Sequence, residues 1–190
     1  MLSGALMDSI YEYLTELESS GLLLRDFFIS SDSQTLKSAY LALNKEAAEL
    51  SDSDWLAAEY DFNALFVGPG KLKAAPYASV YLEEDALVMG KSTLSLREFM
   101  EDLGLSINKK NNTPDDHISY VLELAVLLLI NARKSPEYIE MLTRYVNSYI
   151  TEWVPEYIEK IKINAQTAPL RKVAEKLSYW LDELITRVQL

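Results

Sequence analysis

The residues best suited to chemistry in this protein lie around its one histidine. His117 follows Asp115 and Asp116 directly, and Glu123 lies further along the same segment. An imidazole among carboxylates at this spacing can form an acid–base cluster. The same residues also read as the start of a helix. Thr113-Pro114-Asp115-Asp116 supplies a capping side chain, a proline suited to a first turn, and two acids. Acids there stabilise the helix dipole by about 0.3–1 kcal/mol each. This reading needs no further partner, so no catalytic residue is expected. A metal site would need two or three more His or Cys ligands. The sequence has no other histidine and no cysteine, so no metal is expected.

Other chemical motifs are incomplete. Gly68-Pro69-Gly70-Lys71 has glycines and a lysine but lacks the spacing of a phosphate loop. There is neither a Gly-x-Gly-x-x-Gly run nor a Gly-x-Ser-x-Gly elbow. We therefore expect no cofactor and no enzymatic activity.

Charge narrows the choice of partner. The 190 residues carry 29 acids and 18 bases, a net charge of −11. Residues 1–66 hold 12 of those acids and only 3 bases. Such a field repels nucleic acid and anionic headgroups and attracts a basic peptide. It also serves simply to keep a surface soluble. The longest apolar run, Leu124–Ile130, is far short of the roughly 20 residues that cross a bilayer. No Lys or Arg precedes Arg25, and Asp8 interrupts the apolar residues before it, which does not resemble an export signal. A soluble cytoplasmic protein is expected.

The elements that must position these residues are helical. Leu6, Ile10, Tyr13, Leu14 and Leu17 mark a first amphipathic helix, and Leu36, Tyr40, Leu43, Ala47 and Leu50 a second. Trp55, Phe62, Leu65 and Phe66 mark a third, opened by Ser51 with Asp54 in capping-box spacing. Ser95 with Glu98 repeats that signature, and Gly104 closes a short fourth helix. The helix after Asp116 should bury Ile118, Val121, Leu122, Ala125 and Leu129. Ser135-Pro136-Glu137 opens the next, with Leu142, Tyr145, Val146, Tyr149 and Ile150 on one side. A segment from about Glu152 to Ile163 follows, and a last helix carries a stripe from Leu170 to Val188. No sustained two-residue alternation appears. The expected fold is all-α: one domain over residues 1–190, of about seven to nine helices.

One stretch, residues 67–92, lacks a helical period and is punctuated by glycine and proline. Loops of this length in compact domains are uncommon and often functional. The stripe Trp55, Phe62, Leu65, Phe66 runs straight into it. Such a stripe is either core or the wall of an apolar groove with polar edges. If it is a groove wall, truncating Phe66 should weaken binding and leave the fold intact.

At this loop the sequence resembles a known family. Glu59-Tyr60-Asp61-Phe62-Asn63-Ala64-Leu65-Phe66-Val67-Gly68-Pro69 looks like the E-Y-x-x-L-F signature, ending in Gly-Pro, of the TorD/DmsD/NarJ chaperones. Pro76-Tyr77-Ala78-Ser79-Val80-Tyr81-Leu82 is similar to the family's P-[WY]-x-S-V-[WY] segment. Ser92-Thr93-Leu94-Ser95-Leu96-Arg97 favours the DmsD branch, and Pro114-Asp115-Asp116-His117 matches a P-[DE]-D-H element. Gly70, Tyr77 and Tyr81 stand where that branch often has tryptophan.

The resemblance implies a helical bundle without enzymatic activity. It would bind the twin-arginine leader peptide, and often the body, of a molybdenum oxidoreductase such as a DMSO-reductase-like enzyme, before export. The residues implied in leader binding are Phe62, Leu65, Phe66, Gly68, Pro69, Tyr77, Ser79, Tyr81, Pro114, Asp116 and His117. Asp116, with Asp115 or Glu59, would receive the leader's guanidinium groups, since a planar fork can bond both carboxylate oxygens. The alternative is a non-catalytic helical adaptor for another helix or folded protein. Monomer and domain-swapped dimer both remain open.

Overall fold

Helix α6 (Ile118–Ala132) is buried from Ile118 through Asn131, and the rest of the protein is arranged to cover it. Its sequence, ISYVLELAVLLLINA, is apolar on every side, the pattern of a helix with neighbours all round. Burial is therefore wider than the single face Ile118, Val121, Leu122, Ala125, Leu129. The computed structural model describes residues 2–4, 13–45, 50–84, 89–107 and 113–189.

Nine α-helices are present among the described residues. Before α6 come α1 (Glu16–Phe28), α2 (Ser33–Leu43), α3 (Asp52–Phe62), the single turn α4 (Ser79–Leu82) and α5 (Lys91–Asp102). After it come α7 (Glu137–Tyr145), α8 (Val154–Asn164) and α9 (Ala168–Gln189). Helices α3 and α7 each run on into a π turn, Asn63–Val67 and Val146–Ile150. A three-residue antiparallel pair joins β1 (Leu2–Gly4) to β2 (Leu105–Ile107). Strands this short leave no readable alternation, and the fold is all-α.

Three capping boxes set helix starts. Thr15 with Glu18 opens α1, Asp32 with Thr35 opens α2, and Ser51 with Asp54 opens α3. Helix α1 thus begins at Glu16, after Tyr13 and Leu14. The expected positions Leu6, Ile10 and Ala47 lie outside the described residues. Helix α5 begins at Lys91 rather than at a Ser95 cap. Its early N–H at Ser92 donates to Glu83 Oε1 at 2.7 Å, so a side chain nine positions upstream does the capping. Ser95 then lies inside the helix, where its Oγ meets Tyr149 Oη at 3.0 Å. Gly104, at φ +68°, ends α5 as expected.

Polar clamps tie the outer helices to the centre. Glu123, buried on α6, pairs with Arg25 of α1 at 3.0 Å. Glu18 of α1 pairs with Arg133 just past α6 at 2.9 Å. Tyr145 Oη donates to the Val121 carbonyl at 3.0 Å, and Trp180 Nε1 to the Leu17 carbonyl at 2.9 Å. Asp61, near the end of α3, accepts the N–H groups of Gln166 and Thr167, each at 2.8 Å, fixing the turn into α9. None of the described helices is long and apolar enough to cross a membrane.

Candidate binding cleft

The loop between α1 and α2, the buried end of α3 and the turn before α6 meet around a cleft of about 560 Å³. Phe28, Leu36, Phe62, Phe66, Val67 and Tyr77 give it apolar walls, with His117 and Thr113 closing one side. Asp32 and Glu59 stand at the same opening.

The apolar wall is rigid because it is the edge of the core. Phe66 packs edge-on to Phe28 and Phe62, with ring centroids 5.5 and 5.1 Å apart. Behind them Tyr157 of α8 touches both Phe28 and Phe66. Such ring pairs add about 0.5–1.5 kcal/mol beyond area burial. Phe66 is only 4% exposed. It lines the cleft and also packs into the core, so the expectation that its truncation leaves the fold intact does not stand.

The irregular connection reaches the cleft by folding back on α3. Gly68 and Gly70 adopt φ of +108° and +107°, which side chains disfavour, and so turn the backbone sharply. Lys73 and Ala74 then donate to the carbonyls of Ala64 and Leu65. Next the connection pairs with the turn before α6. Ile118 N–H donates to the Pro76 carbonyl at 2.8 Å, and Ala78 N–H to the Asp116 carbonyl at 3.2 Å. Tyr77 and His117 face each other in this bridge, rings 5.3 Å apart.

The carboxylates around His117 do not form an acid–base cluster. Asp115 pairs with Arg97, Asp116 with the Ser79 N–H at 2.8 Å, and Glu123 with Arg25. Nor do the two aspartates lie in the first helical turn. Helix α6 is capped by His117 itself, whose Nδ1 accepts the Ser119 N–H at 3.2 Å and contacts Ser119 Oγ at 2.8 Å. Burial pushes the imidazole pKa down to about 3, so it is neutral at physiological pH.

Of the eleven residues expected at a leader site, Phe62, Phe66, Tyr77 and His117 line the cleft. Gly68, Pro69 and Pro114 shape the segments beside it without lining it. Leu65, Ser79 and Asp116 are wholly buried. Asp116 therefore cannot stand on the rim as a guanidinium receptor. Its Oδ2 accepts a backbone N–H across the connection, and its Oδ1 is buried with no hydrogen-bond partner among the described residues. Tyr81 turns the other way, onto Trp153 and Tyr157, with Lys160 Nζ 4.3 Å above its ring. The acids at the opening are Glu59, a candidate from sequence, and Asp32, which sequence reading missed. Glu59 accepts from Ser33 Oγ, and Asp32 accepts the Thr35 N–H at 2.8 Å, which holds its pKa below the usual carboxylate value. The Asp32–Thr35 capping pair was visible in the sequence, but its nearness to Glu59 was not.

A helical scaffold with an aromatic-walled, acid-edged cleft is the kind of framework on which binding proteins are built. The Nitrate reductase delta subunit family matches residues 30–159, and the chain belongs to that family, the TorD/DmsD/NarJ group. It is 33% identical over 95 residues to the Tat proofreading chaperone DmsD of Salmonella typhi, covering 50% of this chain and 44% of that one. It is 29% identical over 147 residues to the chaperone protein TorD of Actinobacillus pleuropneumoniae serotype 3, covering 76% and 71%. The chain thus spans between a third and a half of the length of the DmsD relatives it matches. Its fold resembles the crystal structure of a candidate redox enzyme maturation protein from Archaeoglobus fulgidus. There the TM-score is 0.60 at 20% identity, covering 92% of this chain and 99% of that one.

Proposed function

We propose that this protein is a cytoplasmic, non-enzymatic maturation chaperone whose cleft holds the twin-arginine leader of a molybdenum oxidoreductase until cofactor insertion and folding are complete. One observation carries the reading. The cleft sets Phe62, Phe66, Tyr77 and Val67 beside Glu59 and Asp32. A twin-arginine leader presents the complement, a moderately apolar stretch beside paired arginines. The names of the DmsD and TorD relatives point the same way.

Magnitudes divide the labour. Each Å² of apolar leader surface buried yields about 25 cal/mol before association and ordering costs. Exposed ion pairs at Glu59 and Asp32 add little, because water screens them and the side chains must be ordered to form them. The apolar wall therefore sets affinity, and the acids set direction and encounter rate. A leader held here is unavailable to the export machinery.

Calorimetry with a synthetic leader tests this. Binding that weakens when the paired arginines become alanines supports the reading. An adaptor for some other helix would ignore that change, and a leader that does not bind at all would overturn the proposal.

A further inference from the structure

The cleft contains a hydrogen-bond donor whose direction is fixed by the helix behind it. A backbone N–H can only donate, so the Ser119 N–H on His117 Nδ1 requires a lone pair there. The imidazole proton then sits on Nε2. Among the described residues Nε2 has no hydrogen-bond partner, and His117 lines the cleft beside Tyr77. Capping α6 thus selects the tautomer that leaves an N–H available at the cleft wall.

We propose that His117 Nε2–H donates to a backbone carbonyl of the bound peptide, and that Ser119 is the positioning residue that keeps the proton on Nε2. This rests on the cleft being the leader site. The chemistry of the occupant narrows the acceptor. Arginine side chains offer only donors, and the side chains of an apolar stretch offer nothing. The acceptor is then a peptide carbonyl oxygen. Carbonyls inside a helix are already bonded to the helix, so the segment crossing His117 is extended. A neutral imidazole also suits a cationic ligand, which a charged one would repel.

Two substitutions separate the cap from the donor. An asparagine in place of His117 retains an acceptor near the Nδ1 position and caps helices well, but has no group at Nε2. A glutamine places an amide N–H near Nε2 and loses the cap. His117→Asn should therefore bind the leader about five- to tenfold more weakly with little change in Tm, the size expected for one neutral hydrogen bond. His117→Gln should rescue much of that affinity while lowering Tm. A leader carrying one ester in place of an amide, scanned along the apolar stretch, should show one position that weakens wild-type binding and has no further effect in His117→Asn. Independently of any ligand, ¹⁵N NMR of the imidazole in the free protein should find Nδ1 unprotonated.

A proton on Nδ1 would overturn the inference, as would full affinity in a folded His117→Asn variant that still requires the leader's arginines. Failure of the wild-type protein to bind the unmodified leader would instead remove the underlying reading of the cleft.

Discussion

Asp116 Oδ2 accepts the backbone N–H of Ser79 at 2.8 Å, linking two segments 37 residues apart. With the Ala78 and Ile118 hydrogen bonds beside it, this contact staples the irregular connection to the start of α6. Tyr77 and His117 face each other as a consequence. The aspartate builds the cleft without entering it.

Asp116→Ala should therefore act on stability first. A buried hydrogen bond to a charged group contributes about 1.5–3 kcal/mol. A fall of that size in unfolding free energy is expected from denaturant titration, together with weaker leader binding that is equal at low and high salt. A loss confined to low salt, with stability unchanged, would return Asp116 to the rim.

Phe66 and Val67 should behave oppositely although they are adjacent. Phe66→Ala opens a cavity among Phe28, Phe62 and Tyr157 and should cost about 3–5 kcal/mol of stability. Val67 is 61% exposed at the cleft, so Val67→Lys should leave the thermal midpoint nearly unchanged and oppose a basic ligand. Calorimetry and thermal melts on both variants check this. Equal destabilisation by the two would contradict the packing described.

The acids at the opening should report through ionic strength. Glu59→Gln with Asp32→Asn, the latter keeping a good N-cap residue, should weaken leader binding about two- to fivefold per charge at low salt. The difference should shrink toward 1 M salt, where the screening length is about 3 Å. A deficit independent of salt would place the leader's arginines elsewhere.

Burial of His117 makes stability depend on pH. Its pKa is about 3 in the folded protein against an ordinary 6.5, so the unfolded state takes up a proton that the folded state excludes. Above 6.5 this group contributes no pH dependence. Between 6.5 and 3, stability is lost as pH falls, by up to about 1.4 kcal/mol per pH unit from this residue. His117→Asn should flatten the unfolding free energy between pH 6 and 4 relative to wild type. Parallel slopes would show that the imidazole accepts its proton without unfolding.

Periodicity and local caps were legible in the sequence. Ser51-Asp54 opened α3, Gly104 ended α5, and the stripe from Leu170 to Val188 became α9, because each signal involves residues within one or two turns. Thr15-Glu18 and Asp32-Thr35 carried the same kind of signal and would have set the starts of α1 and α2. The aromatic stripe of α3 was legible as well, and it is mainly core: Trp55 and Leu65 are buried away from the cleft, and only Phe62 and Phe66 reach its wall.

Partnerships between distant residues were decided only by the tertiary structure. Glu83 caps α5 across the stretch before it, and Asp61 fixes the entry to α9 from more than a hundred residues away. Tyr77 and Tyr81 look alike in sequence, yet one turns to the cleft and the other to α8. Local propensity is set by neighbours in the sequence. A carboxylate's choice between solvent, a guanidinium and a buried N–H depends on which groups folding brings within about 3 Å of it.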